Sequence, residues 1–133
     1  MSTIPLPADP EKDSRVKAVF DDIRATRKSD FINNFWLYLA FDPPLLEETW
    51  TAVRSVMVEP SALDPLTKEL VYVAVSITNA CRYCVHSHTA AARAKGMTDA
   101  MYADLLRVVA TAGRTNQMAN ALQVPVDAAF GFD

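Results

Sequence analysis

The chain predicts an all-α fold, and three observations carry that expectation. Only three glycines occur in 133 residues, so hairpin-rich all-β architectures, whose tight turns need glycine, are hard to build from it. Apolar residues recur at i, i+3, i+4 and i+7 in successive stretches, the spacing of one helix face. Aspartate-proline pairs, Asp9-Pro10 and Asp64-Pro65, place a cap beside a first-turn proline where such stretches begin. The length fits a single domain over residues 1–133, and an apolar content of 50% suffices for one sizeable core.

An N-terminal helix is expected over about residues 10–28, opened by Asp9-Pro10 and striped by Val16, Val19, Phe20 and Ile23. Phe31 to Phe41 is apolar nearly all round, with Trp36 and Tyr38 on different faces, and predicts a short helix buried on several sides and ended by Pro43 and Pro44. Leu46, Trp50, Val53 and Met57 form the next stripe, closed by Glu59-Pro60. Leu70 to Ile77 is rich in valine and by pattern alone fits a buried strand. Its capped entry, its Thr67-Lys68-Glu69 first turn and its length favour a helix. After a turn at Asn79-Ala80, Cys81 to Lys95 is alanine-rich and stops at Gly96. Thr98 opens a helix carrying Met101, Leu105, Val108 and Ala112 up to Gly113, and a last helix is expected from Asn116 to Gln123. Pro125 and the tail Ala129-Phe130-Gly131-Phe132 read as irregular, with two phenylalanines available to dock on a neighbour.

Charge narrows the partners. A formal charge of -3 and a pI near 5.3 give no basic field for phosphate backbones or anionic lipid, so neither nucleic acid nor membrane is expected. No twenty-residue apolar run exists, and Met1-Ser2-Thr3-Ile4-Pro5-Leu6-Pro7 has neither the cationic start nor the apolar stretch of a leader. The expected address is the cytoplasm, where paired cysteines are catalytic or metal-binding more often than structural.

The chemistry is concentrated in Cys81-Arg82-Tyr83-Cys84-Val85-His86-Ser87-His88, where both cysteines and both histidines of the chain fall, with Glu69 twelve positions upstream. At about 100° per residue, Cys81, Cys84 and His88 lie within an arc of about 60°, while His86 points some 140° from Cys81. The cysteines fall in the first turn of their helix, where free N–H groups and the positive dipole end favour thiolate. A thiol of pKa about 8.5 is roughly 3% ionised at neutral pH, and a fall of two units raises that to about three quarters. An imidazole at i+4 can take the proton directly or through water. Glu69 is the natural third member, since a carboxylate fixes an imidazole's tautomer and stabilises its cation. Along straight helices Glu69 lies about 18 Å from Cys81 and His88 only about 10 Å into the return helix, so contact requires a tight crossing or a bridging water. Otherwise Glu69 is a solvated first-turn acid. Tyr83 reads as a packing residue or a hydrogen-bond donor near the site.

Glu69, Cys81, Cys84 and His88 together reproduce the Glu-x11-Cys-x2-Cys-x3-His pattern, and the flanks Leu70 to Ser76 and His88 to Asp99 match as well. On these residues the chain resembles the AhpD-like alkylhydroperoxidases of the carboxymuconolactone decarboxylase superfamily, over a family core of about residues 30–113 with a C-terminal helix and tail at 114–133. The resemblance implies a helical bundle built around a hairpin that carries the Cys-x2-Cys motif, assembled as a homotrimer or homohexamer. Trp36, Trp50, Met57 and the phenylalanine-bearing tail are then the apolar surface to be covered.

It further implies a thiol-dependent alkyl hydroperoxide reductase. Cys84 is the thiolate that attacks a small peroxide, Cys81 resolves the sulfenic acid as a disulfide, and His88 with Glu69 is the proton relay. No bound cofactor or metal is implied. The electrons come from an external dithiol, a reductant protein or a lipoyl-type donor. The superfamily's decarboxylase branch lacks the paired cysteines, which argues against that activity. Two other readings of the same residues stand beside the peroxidase: zinc held by Cys81, Cys84 and His88 with a fourth ligand from elsewhere, and a non-catalytic redox-sensing oligomer.

Overall fold

The structure is a computed structural model and describes residues 1–131. Among them there are six α-helices, two short 3-10 turns and no strand. They divide into two compact units, Met1–Ser61 and the chain from Ala62 onward.

The first unit is built on α1 (Ser14–Arg27), α2 (Asn34–Leu39) and α3 (Pro43–Met57). Asp9-Pro10 opens only a 3-10 turn, Pro10–Lys12, and makes no side-chain cap. The helix starts later because Asp13 caps it, accepting from the N–H groups of Arg15 and Val16. The expected stripe is intact: Val16, Val19, Phe20 and Ile23 bury against Leu46 and Trp50 of α3, with Ile32, Trp36 and Ala40. Trp36 and Trp50 meet edge to face at 5.4 Å between centroids, and the Trp50 indole donates to Asp22 at 2.6 Å. Both tryptophans are therefore core residues, 2% and 4% exposed. That corrects their expected role as surface for a partner.

Two other expectations change in this unit. The helix within Phe31 to Phe41 is six residues long and buries Trp36 alone, while Phe31, Phe35 and Phe41 remain exposed. An all-round apolar pattern cannot be buried all round by one neighbouring helix pair. Pro43 and Pro44 do not end α2 but begin α3, where Asp42 caps the chain by accepting from Leu45 N–H. Proline at the first helical positions loses no intrahelical bond.

The second unit contains α4 (Pro65–Thr78), α5 (Arg82–Ala94) and α6 (Asp99–Leu122). Asp64 caps α4 as expected, and the valine-rich segment within it is helical. Three residues, Asn79, Ala80 and Cys81, link α4 to α5, and Ala80 adopts a left-handed φ of 54°. There Cys81 N–H bonds to Ser76 C=O at 3.0 Å and Ala80 N–H to Ile77 C=O at 3.1 Å, the paired bonds that close a helix and reverse the chain. Gly96, at φ 104°, repeats the device after α5, with Met97 N–H on Ala92 C=O and Gly96 N–H on Arg93 C=O, both at 3.0 Å.

The helix opened by Thr98 does not stop at Gly113. It runs 24 residues to Leu122 and absorbs the separate helix expected from Asn116 to Gln123. An interior glycine costs about 1 kcal/mol in a helix, which the hydrogen bonds of a 24-residue helix outweigh. No residue of α6 is buried. In the tail Ala128–Phe130 forms a 3-10 turn with Phe130 exposed. Phe132 lies outside the described residues. No helix among them is long and apolar enough to cross a membrane.

Candidate active site

The site is assembled by the α4–α5 hairpin. Cys81 is the N-cap of α5, its Sγ accepting from Cys84 N–H at 3.3 Å, so the sulfur sits at the positive end of the helix dipole. Cys81 and Cys84 are joined as a disulfide, with Cα atoms 5.3 Å apart. Both are partly buried. One turn on, His88 lies on the same face of α5 as Cys84, whereas His86 is exposed, as its direction on the helix predicts.

The crossing of the two helices is tight enough to bring Glu69 to His88 directly. Glu69 Oε2 lies 2.7 Å from His88 Nδ1. Glu69 is not a solvated first-turn acid: its side chain is 6% exposed and that of His88 is 21% exposed. It is buried because it lies in the inward stripe of α4 with Val73 and Ser76, at i, i+4 and i+7.

Two further side chains complete the arrangement, and neither was singled out from the sequence. Lys95 Nζ bonds to the other carboxylate oxygen, Oε1, at 2.9 Å. The ring of Tyr72 stacks on the His88 imidazole, 3.5 Å between centroids and 19° between planes. The signal that finds them is periodicity applied to the chemical residues. Tyr72 follows Glu69 at i+3, and Lys95 follows His88 at i+7, each on the face of its partner.

Electrostatically, the site centres on Glu69. Burial pushes its carboxyl up, but hydrogen bonds from His88 and Lys95, with the Lys95 and His88 charges, outweigh that and hold it below its ordinary 4.5. It is therefore an ionised, acceptor-only carboxylate. Nδ1 of His88 must then carry a proton and donate to Oε2, and Nε2 takes no part in that bond. Thr89, next to His88, has a buried hydroxyl oxygen without a hydrogen-bond partner. No group of three or more His, Cys, Asp or Glu side chains among the described residues is arranged to hold a metal ion.

Comparison with known proteins agrees with the hairpin and extends to the whole chain. Residues 44–127 match the Carboxymuconolactone decarboxylase family. The crystal structure of the alkylhydroperoxidase AhpD core from Rhodospirillum rubrum ATCC 11170 is similar to this one with a TM-score of 0.95 at 57% identity, covering 100% of this chain and 99% of that one. Uncharacterized protein 4 in the cox locus of Paracoccus denitrificans is 31% identical over 65 residues, 49% of this chain and 59% of that protein. The chain thus spans less than two thirds of that relative's length.

Proposed function

The chain belongs to the carboxymuconolactone decarboxylase family, and from that premise we propose that it is a thiol-dependent alkyl hydroperoxide reductase of the AhpD type. The observation that carries the reading is the pair Cys81 and Cys84 at the start of α5, one helical turn before a histidine already hydrogen-bonded to a buried carboxylate. The 57% identity over the full length to an alkylhydroperoxidase AhpD core supports it.

In this reading Cys84 reacts as thiolate. Its sulfur attacks the terminal oxygen of a hydroperoxide, the O–O bond breaks, and Cys84 becomes a sulfenic acid while the alkoxide leaves. The imidazolium of His88, carrying the proton taken from the thiol, delivers it to the alkoxide as alcohol. Glu69 stabilises that cation through Nδ1 and keeps the ring in place. The Cys81 thiol then attacks the Cys84 sulfur, releasing water and forming the disulfide. An external dithiol reduces it by exchange and is itself oxidised, so one hydroperoxide and one dithiol give alcohol, water and a disulfide. The donor is a reductant protein or a lipoyl-type dithiol, and the setting is the cytoplasm.

The test is steady-state consumption of tert-butyl hydroperoxide with dihydrolipoamide as donor. Wild type is expected to turn over, and Cys84→Ser to lose more than nine tenths of the rate. Cys81→Ser is expected to consume one equivalent and stall as a sulfenic acid trapped by dimedone. A Cys84→Ser variant that keeps more than a tenth of the rate removes Cys84 as nucleophile. A wild type that oxidises once to the disulfide and stops is a redox-responsive protein, not a peroxidase.

A further inference from the structure

Lys95 ends α5 under tight backbone control. Its N–H bonds to the carbonyls of Ala91 and Ala92 at 3.2 and 3.1 Å, and the next two N–H groups close the turn around Gly96. Lys95 is thus the last side chain before the chain leaves the helix, two turns beyond His88. Helical side chains lean toward the N-terminus, and the four-carbon stem of this one reaches back to Glu69. The carboxylate is shared between two donors, Oε2 with His88 Nδ1 at 2.7 Å and Oε1 with Lys95 Nζ at 2.9 Å. Its side chain is 6% exposed and that of Lys95 is 37% exposed.

A carboxylate this buried needs a compensating charge. Neutral imidazole offers a hydrogen bond but no charge, so in the state that accepts a thiol proton the compensation comes from Lys95. Were Glu69 to take up a proton, its O–H would become a donor, Nδ1 would become the acceptor, and the ring proton would move to Nε2. His88 would then have no lone pair left for Cys84.

We infer that Lys95 is a positioning residue of this site: its ammonium on Oε1 keeps Glu69 an acceptor, so that Oε2 fixes His88 as the Nδ1–H tautomer and leaves Nε2 as the base. The role of that base rests on the peroxidase reading; the tautomer does not. His88 and Lys95 are the groups that act most on the carboxylate. Tyr72 of α4 lies against the imidazole face. On the side of α6, Arg93 pairs with Asp99 and lies over the Tyr102 ring, and Arg107 pairs with Asp104.

The experiment is long-range nitrogen–proton NMR of histidine in the reduced, full-length protein at about pH 8, above the ordinary imidazole range. Wild type and Lys95→Arg are compared with Lys95→Met and Lys95→Gln, with exposed His86 as internal reference. The Nδ1–H pattern at His88 is expected in wild type and in Lys95→Arg. In Lys95→Met and Lys95→Gln the Nε2–H form is expected to gain, and kcat to fall by about tenfold or more with KM little changed. A His88 pattern unchanged in both uncharged variants overturns the inference, whatever their activity. If the pattern shifts but wild type shows no peroxide turnover, the inference about Lys95 holds and the peroxidase reading falls.

Discussion

Tyr72 sets the plane of the His88 imidazole. Hydrogen bonding at Nδ1 leaves the imidazole free to pivot about one contact, and the stacked phenol removes that freedom. Stacked aromatic pairs contribute about 0.5–1.5 kcal/mol beyond burial, so Tyr72→Leu is expected to lower kcat about two- to tenfold in the peroxide assay while Tyr72→Phe stays near wild type. Loss of activity in Tyr72→Phe equal to that in Tyr72→Leu would assign the role to the hydroxyl instead. The cysteines and His88 were legible in the sequence because they share one helix, where spacing alone fixes direction. The Glu69 contact was not, since rise along straight helices says nothing of how closely two helices cross. Tyr72 and Lys95 were missed because a tyrosine between valines and a lysine before a glycine look like packing and solvation. Only the crossing gives them a chemical neighbour.

At the level of the elements, the two turns that bracket α5 share a geometry and differ in the residue that bears it. Gly96 takes its positive φ without cost, whereas Ala80 holds a left-handed φ of 54° with a Cβ. Ala80→Gly is therefore expected to stabilise the fold by up to about 1 kcal/mol, and Gly96→Ala to destabilise it by about 1 kcal/mol or more. Gly113 is the opposite case: it is interior to α6 and a Cβ there meets nothing within 4 Å, so Gly113→Ala is expected to gain about 0.5–1 kcal/mol. Urea midpoints of the three variants check these signs, and a destabilised Gly113→Ala would reveal a packing demand on that position. The caps at Asp64 and Thr98 were readable because a side-chain oxygen two or three residues before an apolar run has one favourable use. Gly113 misled because glycine marks an end only where the next N–H groups have carbonyls to turn back to.

Among the described residues, five of the six helices follow from pattern and punctuation, the sixth joins two that the sequence separates at Gly113, and the chain divides into two compact units. The candidate site lies entirely in the second unit, and its buried acid bears on stability. The folded-state carboxyl of Glu69 lies below its ordinary 4.5, so the unfolded chain binds its proton first as pH falls. The stability that Glu69 contributes is fully present above about pH 4.5 and is lost as pH drops through the lower folded value. Glu69→Gln is expected to flatten that acid limb in urea midpoints measured from neutral pH downward; a limb of unchanged slope would place the acid sensitivity in another carboxylate. The three-residue link at Asn79, Ala80 and Cys81 has a last consequence, for how such a chain tolerates insertions and deletions. So short a link fixes where the two helices cross, and losing or gaining one residue there would shift that crossing. Every cysteine, histidine and lysine of the site would still be encoded, yet the crossing that holds Glu69 against His88 and Lys95 would change. The arrangement of the site thus depends on a count of residues as much as on their identity.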